Sequence, residues 1–256
     1  MIVIRQNQLD SLLEAGLAEF ENEMMAHSKE FSPRLTELLG DEQLRIAVGQ
    51  AMDRAASYGF TYRGPIRLYI ELMFLCGSDF DTDPQYAEIR KELNATDDQM
   101  ARADRIWKGV VDYNSRVSGE NNINVLKAEE YLAEFAESPI IFSEGSFVSS
   151  IVNEMTTAFP QKVDYIGKEG LTKLIDKGRA TAQKYELSSL RAQALIIILM
   201  FSFGHGCTHD PLYPWISRTL LDEQIKDSEA RTRRLEKKAR TWLDHVLARL
   251  HKGSQS

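Results

Sequence analysis

Several things this chain lacks narrow what it can be. It has only two cysteines, Cys76 and Cys207, too few for a disulfide framework and in keeping with a reducing compartment. No hydrophobic run is long enough for a membrane. The most apolar stretch, "ALIIILMFSF" from Ala194 to Phe203, would reach roughly 15 Å as a helix, about half a bilayer core. The opening "MIVIRQNQLD" has no charged region followed by a long apolar one, so no signal peptide is expected and the expected location is the cytoplasm. Positive charge is also in deficit: the formal net charge is −7, which argues against the whole chain being a nucleic-acid binder. No CxxC or HExxH pairing, phosphate loop or dinucleotide fingerprint occurs, and the serines of "FSEGSFVSS" form no GxSxG elbow. No cofactor is expected.

What remains, 43% hydrophobic and 27% charged with 15 glycines and 7 prolines, is the profile of a globular protein of one large or two medium domains. Its organisation shows when the second half is slid onto the first until Asp210 lies over Asp83. Without a gap, Gly40 meets Gly167, Tyr58 meets Tyr185, and the "LMF" ending at Phe74 meets the one ending at Phe201. Gly77, Asp83, Pro84 and Tyr86 then meet Gly204, Asp210, Pro211 and Tyr213. This predicts an internal duplication: a first helical repeat over 1–117, a linker over 118–125, and a second repeat over 126–256 that ends in a long basic helix. The two halves are free to pack as one domain.

Apolar spacing within each half is helical. Leu9, Leu12, Leu13, Leu17, Phe20 and Met24 recur at three and four residues, an amphipathic first helix. The stretches from Pro65 to Cys76 and from Leu190 to Phe203 are apolar nearly all round, as a central buried helix would be. Long final helices are expected over 97–117 and 226–252. The fold class is therefore all-α, a multi-helix bundle of roughly ten helices built from two tandem halves. Only the opening "IVI" hints at a strand. Gly49 and Gly178 should weaken the second helix of each half by about 1 kcal/mol each relative to alanine. Glu71, inside the apolar helix, should pair with Arg67 or face solvent.

Each half carries Gly, five residues, then Asp-Pro. Glycine tolerates the left-handed conformation that closes a helix, so Gly77 and Gly204 should end the core helix. Aspartate accepts from the free amides of a helix start and proline fits its first position, so Asp83-Pro84 and Asp210-Pro211 should begin the next helix, with Tyr86 and Tyr213 in its first turn.

The second loop, "GHGCTHDP", raises the question of metal. His205, Cys207 and His209 with Asp210 are zinc-ligand types, and Cys207 between two imidazoles could be drawn as a nucleophile with its base. Against this, ligands at every second residue strain tetrahedral closure, and the first loop is built with Ser78, Phe80 and Thr82 at the same positions. In that first loop Asp79, Asp81 and Asp83 have alternate spacing like an EF-hand, but Pro84 and Arg90 stand where that loop needs Gly and Glu. An acidic, solvated recognition loop is the expectation there. In the tail, Arg231, Arg233, Arg234, Lys237, Lys238 and Arg240 form a basic run interrupted by Glu236 and Asp244. Leu235, Trp242, Val246 and Leu250 mark its apolar face, so a solvated or docking helix is expected rather than a nucleic-acid surface.

The stretches "YGFTYRGPIRLYIELMFLCGSDFDTDPQYAEI" and "FGHGCTHDPLYPWI", after "MIVIRQNQLDSLLEAGLAEFENEMMAH", resemble a family of small bacterial proteins encoded beside type VI secretion genes for PAAR spike-tip proteins, VgrG spikes and toxic effectors. The resemblance reaches across both halves, but its motifs are structural and name no active site. Cys207 and His209 depart from the acidic or aromatic residues commoner there. The resemblance implies an accessory protein, an adaptor or co-chaperone, that binds an effector, its chaperone or the spike tip. An immunity protein that neutralises a toxin is one alternative, and a metal-dependent hydrolase built on His205, Cys207 and His209 is another. Homo-oligomerisation is left open.

Overall fold

The computed structural model describes the backbone of residues 6–137 and 141–253, with side chains for 11, 14–133 and 141–246. Among the described residues there are eleven α-helices and no strand. They run α1 Gln6–Phe31, α2 Pro33–Ser57, α3 Arg63–Cys76, α4 Ala87–Leu93, α5 Gln99–Tyr113, α6 Ile123–Glu137, α7 Phe147–Ala158, α8 Pro160–Lys184, α9 Leu190–Phe203, α10 Pro214–Leu220 and α11 Ser228–Gly253. The "IVI" segment lies outside the described residues. None of the described helices is long and apolar enough to cross a membrane.

Helix α9 spans the residues its all-round apolarity predicts, and it is buried along most of its length. Its counterpart α3 is more one-sided. Glu71 accepts from Arg67 Nε at 3.0 Å, one turn back, and also contacts His27 Nε2 at 2.8 Å on α1. The α1 pattern is followed only in part: Phe20 and Met24 are buried, whereas Leu17 is exposed, so the apolar face engages the core only from Phe20 onward. The side chains of Leu9, Leu12, Leu13 and Leu250 lie outside the described set. The helix expected over 97–117 is shorter, because Asp98 caps α5 by accepting from Met100 N at 2.8 Å, and one π-helical turn, Asn114–Ser118, follows it. Helix α6 begins at Ile123, inside the span expected to be a linker.

Conformation recurs at the offset that places Asp210 on Asp83. Helices α2 and α8 have 25 residues each, α3 and α9 have 14, and α4 and α10 have 7, and the members of each pair start at equivalent positions. Gly40 (φ 74°, ψ 165°) and Gly167 (φ 68°, ψ 171°) break α2 and α8 at the same point. The break needs a positive φ, which glycine supplies without steric cost. Helix α7 ends at the equivalent of the α1 end, but the span matching α1 is divided between α6 and α7.

Buried apolar residues of both halves form one continuous cluster, from Phe20 and Met24 through Ile70 and Met73 to Ile197, Met200 and Leu235. Helix α8 lies very close to α9. A Cβ at Gly178 would come within 2.5 Å of Ile197 Cγ1, so this glycine permits the packing instead of merely weakening the helix. Gly49 on α2, two positions before Ala51, the residue that matches Gly178, faces open space.

Candidate functional site

The two Gly-x5-Asp-Pro loops meet each other. Gly77 (φ 92°, ψ 157°) and Gly204 (φ 90°, ψ 153°) end α3 and α9 as expected, but their ψ is extended, not left-handed helical. This region belongs essentially to glycine. Close approach is a second reason for the residue: a Cβ at Gly77 would stand 2.4 Å from Phe203 O, and one at Gly204 would stand 2.6 Å from Cys76 O. The ends of the two core helices thus touch through their glycines.

Each aspartate serves both loops. Asp83 Oδ1 accepts from Gln85 N at 2.9 Å, and Asp210 Oδ1 accepts from Leu212 N at 2.8 Å, the equivalent bond. With its other oxygen Asp83 accepts from His205 N at 2.6 Å, while Asp210 accepts from Ser78 N at 2.8 Å. Ser78 and His205 are themselves equivalent positions, so the exchange is reciprocal, with an approximate two-fold relation between the loops. Capping is therefore half the role of each Asp-Pro, and the other half is to fasten the opposite loop. The turn capped by Asp83 is a single 3-10 turn, Pro84–Tyr86, and α4 starts only at Ala87. Helix α10 likewise starts after Tyr213. Tyr86 stacks edge-on to Tyr113 at 5.8 Å, and Tyr213 packs on Phe203 at 4.6 Å.

The first loop is not the solvated recognition loop expected. Asp81 and Asp83 are each 1% exposed. Arg54 of α2 binds both Asp79 and Asp81, and Tyr69 donates to Asp81 at 2.8 Å. Burial alone would raise the Asp79 carboxyl, but hydrogen bonds from His209 and Arg54 outweigh it and hold the group well below the usual carboxylate range. The alternate spacing of these acids serves donors from the protein itself.

His205, Cys207, His209 and Asp210 turn to separate partners. His205 Nδ1 faces the Lys177 ammonium at 2.6 Å, which makes that nitrogen an acceptor; Nε2 then donates to Thr82 Oγ1 at 3.0 Å. Burial, with the Lys177 charge, holds the His205 pKa below its ordinary value. His209 Nε2 binds Asp79 Oδ2 at 2.6 Å, and that bond raises the His209 pKa. Cys207 is fully buried, as is Phe80 at the equivalent position, so it fills apolar space. Among the described residues, no three His, Cys, Asp or Glu side chains are arranged to hold a metal ion. Burial drives the Cys207 thiol well above its normal range and pushes Cys76 up to about 12. A thiol-labelling reagent should accordingly modify neither cysteine in the native protein and both in denaturant; rapid native labelling of either would contradict the burial.

Positions 79 and 206 are also equivalent, and they face each other. A Cβ at Gly206 would lie 2.0 Å from Asp79 Oδ2. Gly206→Ala should therefore destabilise by about 2 kcal/mol in the native background and by less than half of that beside Asp79→Gly, which also removes the Asp79 Cβ at 2.8 Å, read as a double-mutant cycle in urea. Equal effects in both backgrounds would rule out the shared volume.

Asp210 contributes a pH dependence of defined sign. Burial raises it to about 6 from the ordinary 3.8, against the pull of the Ser78 and Leu212 amides. The folded state holds this proton more tightly than the unfolded state, so the contribution is fully present below about 4 and is lost as pH rises through about 6. Relative to Asp210→Asn, the native protein should gain on the order of 2 kcal/mol between pH 7 and pH 4, measured by denaturant titration. A flat difference would show that the carboxyl titrates normally.

The partners Arg54 and Lys177 were not legible as site residues, nor was Lys162. Lys162 is buried on α8, with Nζ 2.5 Å from Phe201 O and facing the Tyr86 and Phe201 rings at 5.9 and 5.0 Å. Burial lowers its pKa to about 8. With Glu129, raised by burial to about 7, Lys162 lines a cavity of ≈ 70 Å³ beside Trp242. That volume suits about two water molecules and is far below the roughly 300 Å³ at which metabolite pockets begin. No family model, curated protein or solved structure matches this chain.

Proposed function

We propose that this chain is a non-enzymatic binding protein, an adaptor or co-chaperone that engages a protein partner in the cytoplasm during loading of a type VI secretion effector. One observation carries the binding half of this reading: the polar side chains of the two loops are committed to one another. Asp83, Asp210, His205 and Asp79 all hold loop or helix groups in place, and the reciprocal bonds bind the halves into one rigid support. The secretion half rests on the family resemblance in "YGFTYRGPIRLYIELMFLCGSDFDTDPQYAEI" and "FGHGCTHDPLYPWI".

The test is co-purification from the native cell together with effector export in a deletion strain. Recovery of a secretion component and reduced export are expected. Recovery of none, with undiminished export, would overturn the reading. An immunity role also draws support from the acidity of the chain, since an acidic inhibitor is steered toward a basic toxin. Co-expression separates the two: an adaptor leaves toxicity intact, whereas an immunity protein rescues the cell.

A further inference from the structure

Helix α11 holds one strongly basic face outward on an acidic protein. Leu235, Ala239, Leu243 and Val246 are buried against the body, and Trp242 stands edge-on to Phe203 at 4.8 Å. This fixes the opposite face toward solvent, where Arg233, Arg234, Lys237, Lys238 and Arg240 are exposed. At helical geometry these five span an arc of about 160° and a length of about 10 Å. In the linear sequence Glu236 interrupts the run, but the fold turns it inward onto Arg191 at 2.6 Å. Asp244 closes the ridge one turn further on. Among the described residues Arg234, Lys237 and Lys238 have no ion-pair partner, and Arg233 has only Asp227, at 3.8 Å. Because the whole chain carries −7, the rest of the molecule is more acidic still.

We propose that this ridge docks a short acidic peptide segment of the protein partner. Three features select that occupant. A nucleic-acid duplex is a long, uniformly charged rod, and it would extend beyond so short a ridge over a molecule whose remaining net charge is negative. Single strands need exposed aromatic platforms, and the aromatic residue of this stretch, Trp242, is turned inward. A membrane-surface helix must insert its apolar face, which here is already covered by the protein's own core. A short run of Glu or Asp matches the ridge in both length and sign. The inference rests on the reading that the chain works by binding a protein, and not on which export system it serves.

The experiment uses the full chain, a fluorescein-labelled tetraglutamate peptide, whose extended length of about 13 Å is close to that of the ridge, and a labelled DNA duplex, followed by fluorescence anisotropy at low and physiological salt. The peptide should bind, weaken as salt screens the charges, and lose at least tenfold in affinity in the variant Arg234→Glu/Lys237→Glu/Lys238→Glu. The control Lys168→Glu/Lys173→Glu, on exposed α8 positions, should change affinity by less than threefold. All three substituted ridge side chains are exposed, so an unchanged helical circular dichroism signal should accompany the loss. Absence of peptide binding, binding retained by the ridge variant, or tighter binding of DNA than of peptide would each overturn the proposal. A ridge variant that still recovers a secretion component at native yield would sink the ridge and leave the adaptor reading standing. Ridge-dependent peptide binding without any secretion component would do the reverse.

Discussion

Replacing Gly77 by alanine is expected to destabilise the protein by about 3 kcal/mol or more, and replacing Gly204 to do the same. Two costs combine at each position. The first is conformational: φ values of 92° and 90° with extended ψ are regions that a residue with a Cβ avoids, at about 1–3 kcal/mol. The second is steric, and it cannot be relieved by a side-chain rotation. The atoms the new methyl would meet are the backbone carbonyl oxygens of Phe203 and Cys76, at 2.4 and 2.6 Å. Relief requires the two core helices to separate, which would also lengthen the bonds from Ser78 N and His205 N to the aspartates. Gly49→Ala is the contrast. It sits in a helix with open space around it and should be neutral or stabilise by about 0.5–1 kcal/mol. Urea titration of the three variants by circular dichroism decides the matter, and a Gly77→Ala loss below about 1 kcal/mol would be incompatible with the close approach.

Removing the Asp83 carboxylate should be at least as costly. Asp83→Ala strands the buried amides of Gln85 and His205, while Gln85 Nε2 loses one of its two acceptors and keeps Met200 O at 3.0 Å; each unsatisfied donor costs about 1–3 kcal/mol. A total of about 3–5 kcal/mol is expected, because the groups share one carboxylate and relax together. Asp83→Asn keeps one acceptor oxygen and should lose roughly half as much. The cross-loop bond makes a further prediction about place. Amide hydrogen exchange should accelerate in Asp83→Ala at His205, in the other half of the chain, as well as at Gln85. Acceleration confined to Gln85 would mean that the aspartate caps only its own turn.

How much of this was legible in the sequence depends on how far apart the interacting groups lie. The ends of α9 and the capping of the turn after Asp83 are local or periodic properties, and the residues concerned announce them. The Arg67–Glu71 pair was legible for the same reason, being one helical turn apart. Leu17 departs from its stripe because an apolar pattern shows which face is available for burial, while the neighbours decide how far along the helix burial extends. The acidic first loop is buried, against expectation, because the cation that neutralises Asp79 and Asp81 is Arg54, on the face of a different helix. Nothing in the loop's own residues points to it. His205 and His209 looked like a ligand pair for the same reason: their partners are Lys177, on α8, and Asp79, in the other half of the chain.

The meeting of positions 79 and 206 has a consequence for how the two halves vary. Residues related by an approximate two-fold and lying next to its axis compete for a single volume. Asp79 occupies that volume, and Gly206 concedes it. A molecule with aspartate on both sides would collide with itself, and one with glycine on both sides would leave Arg54 and His209 without their shared anion. Sterics thus exclude a second full side chain at this spot, and the two neighbouring cations exclude a second empty one, so in this chain the pairing holds one aspartate and one glycine.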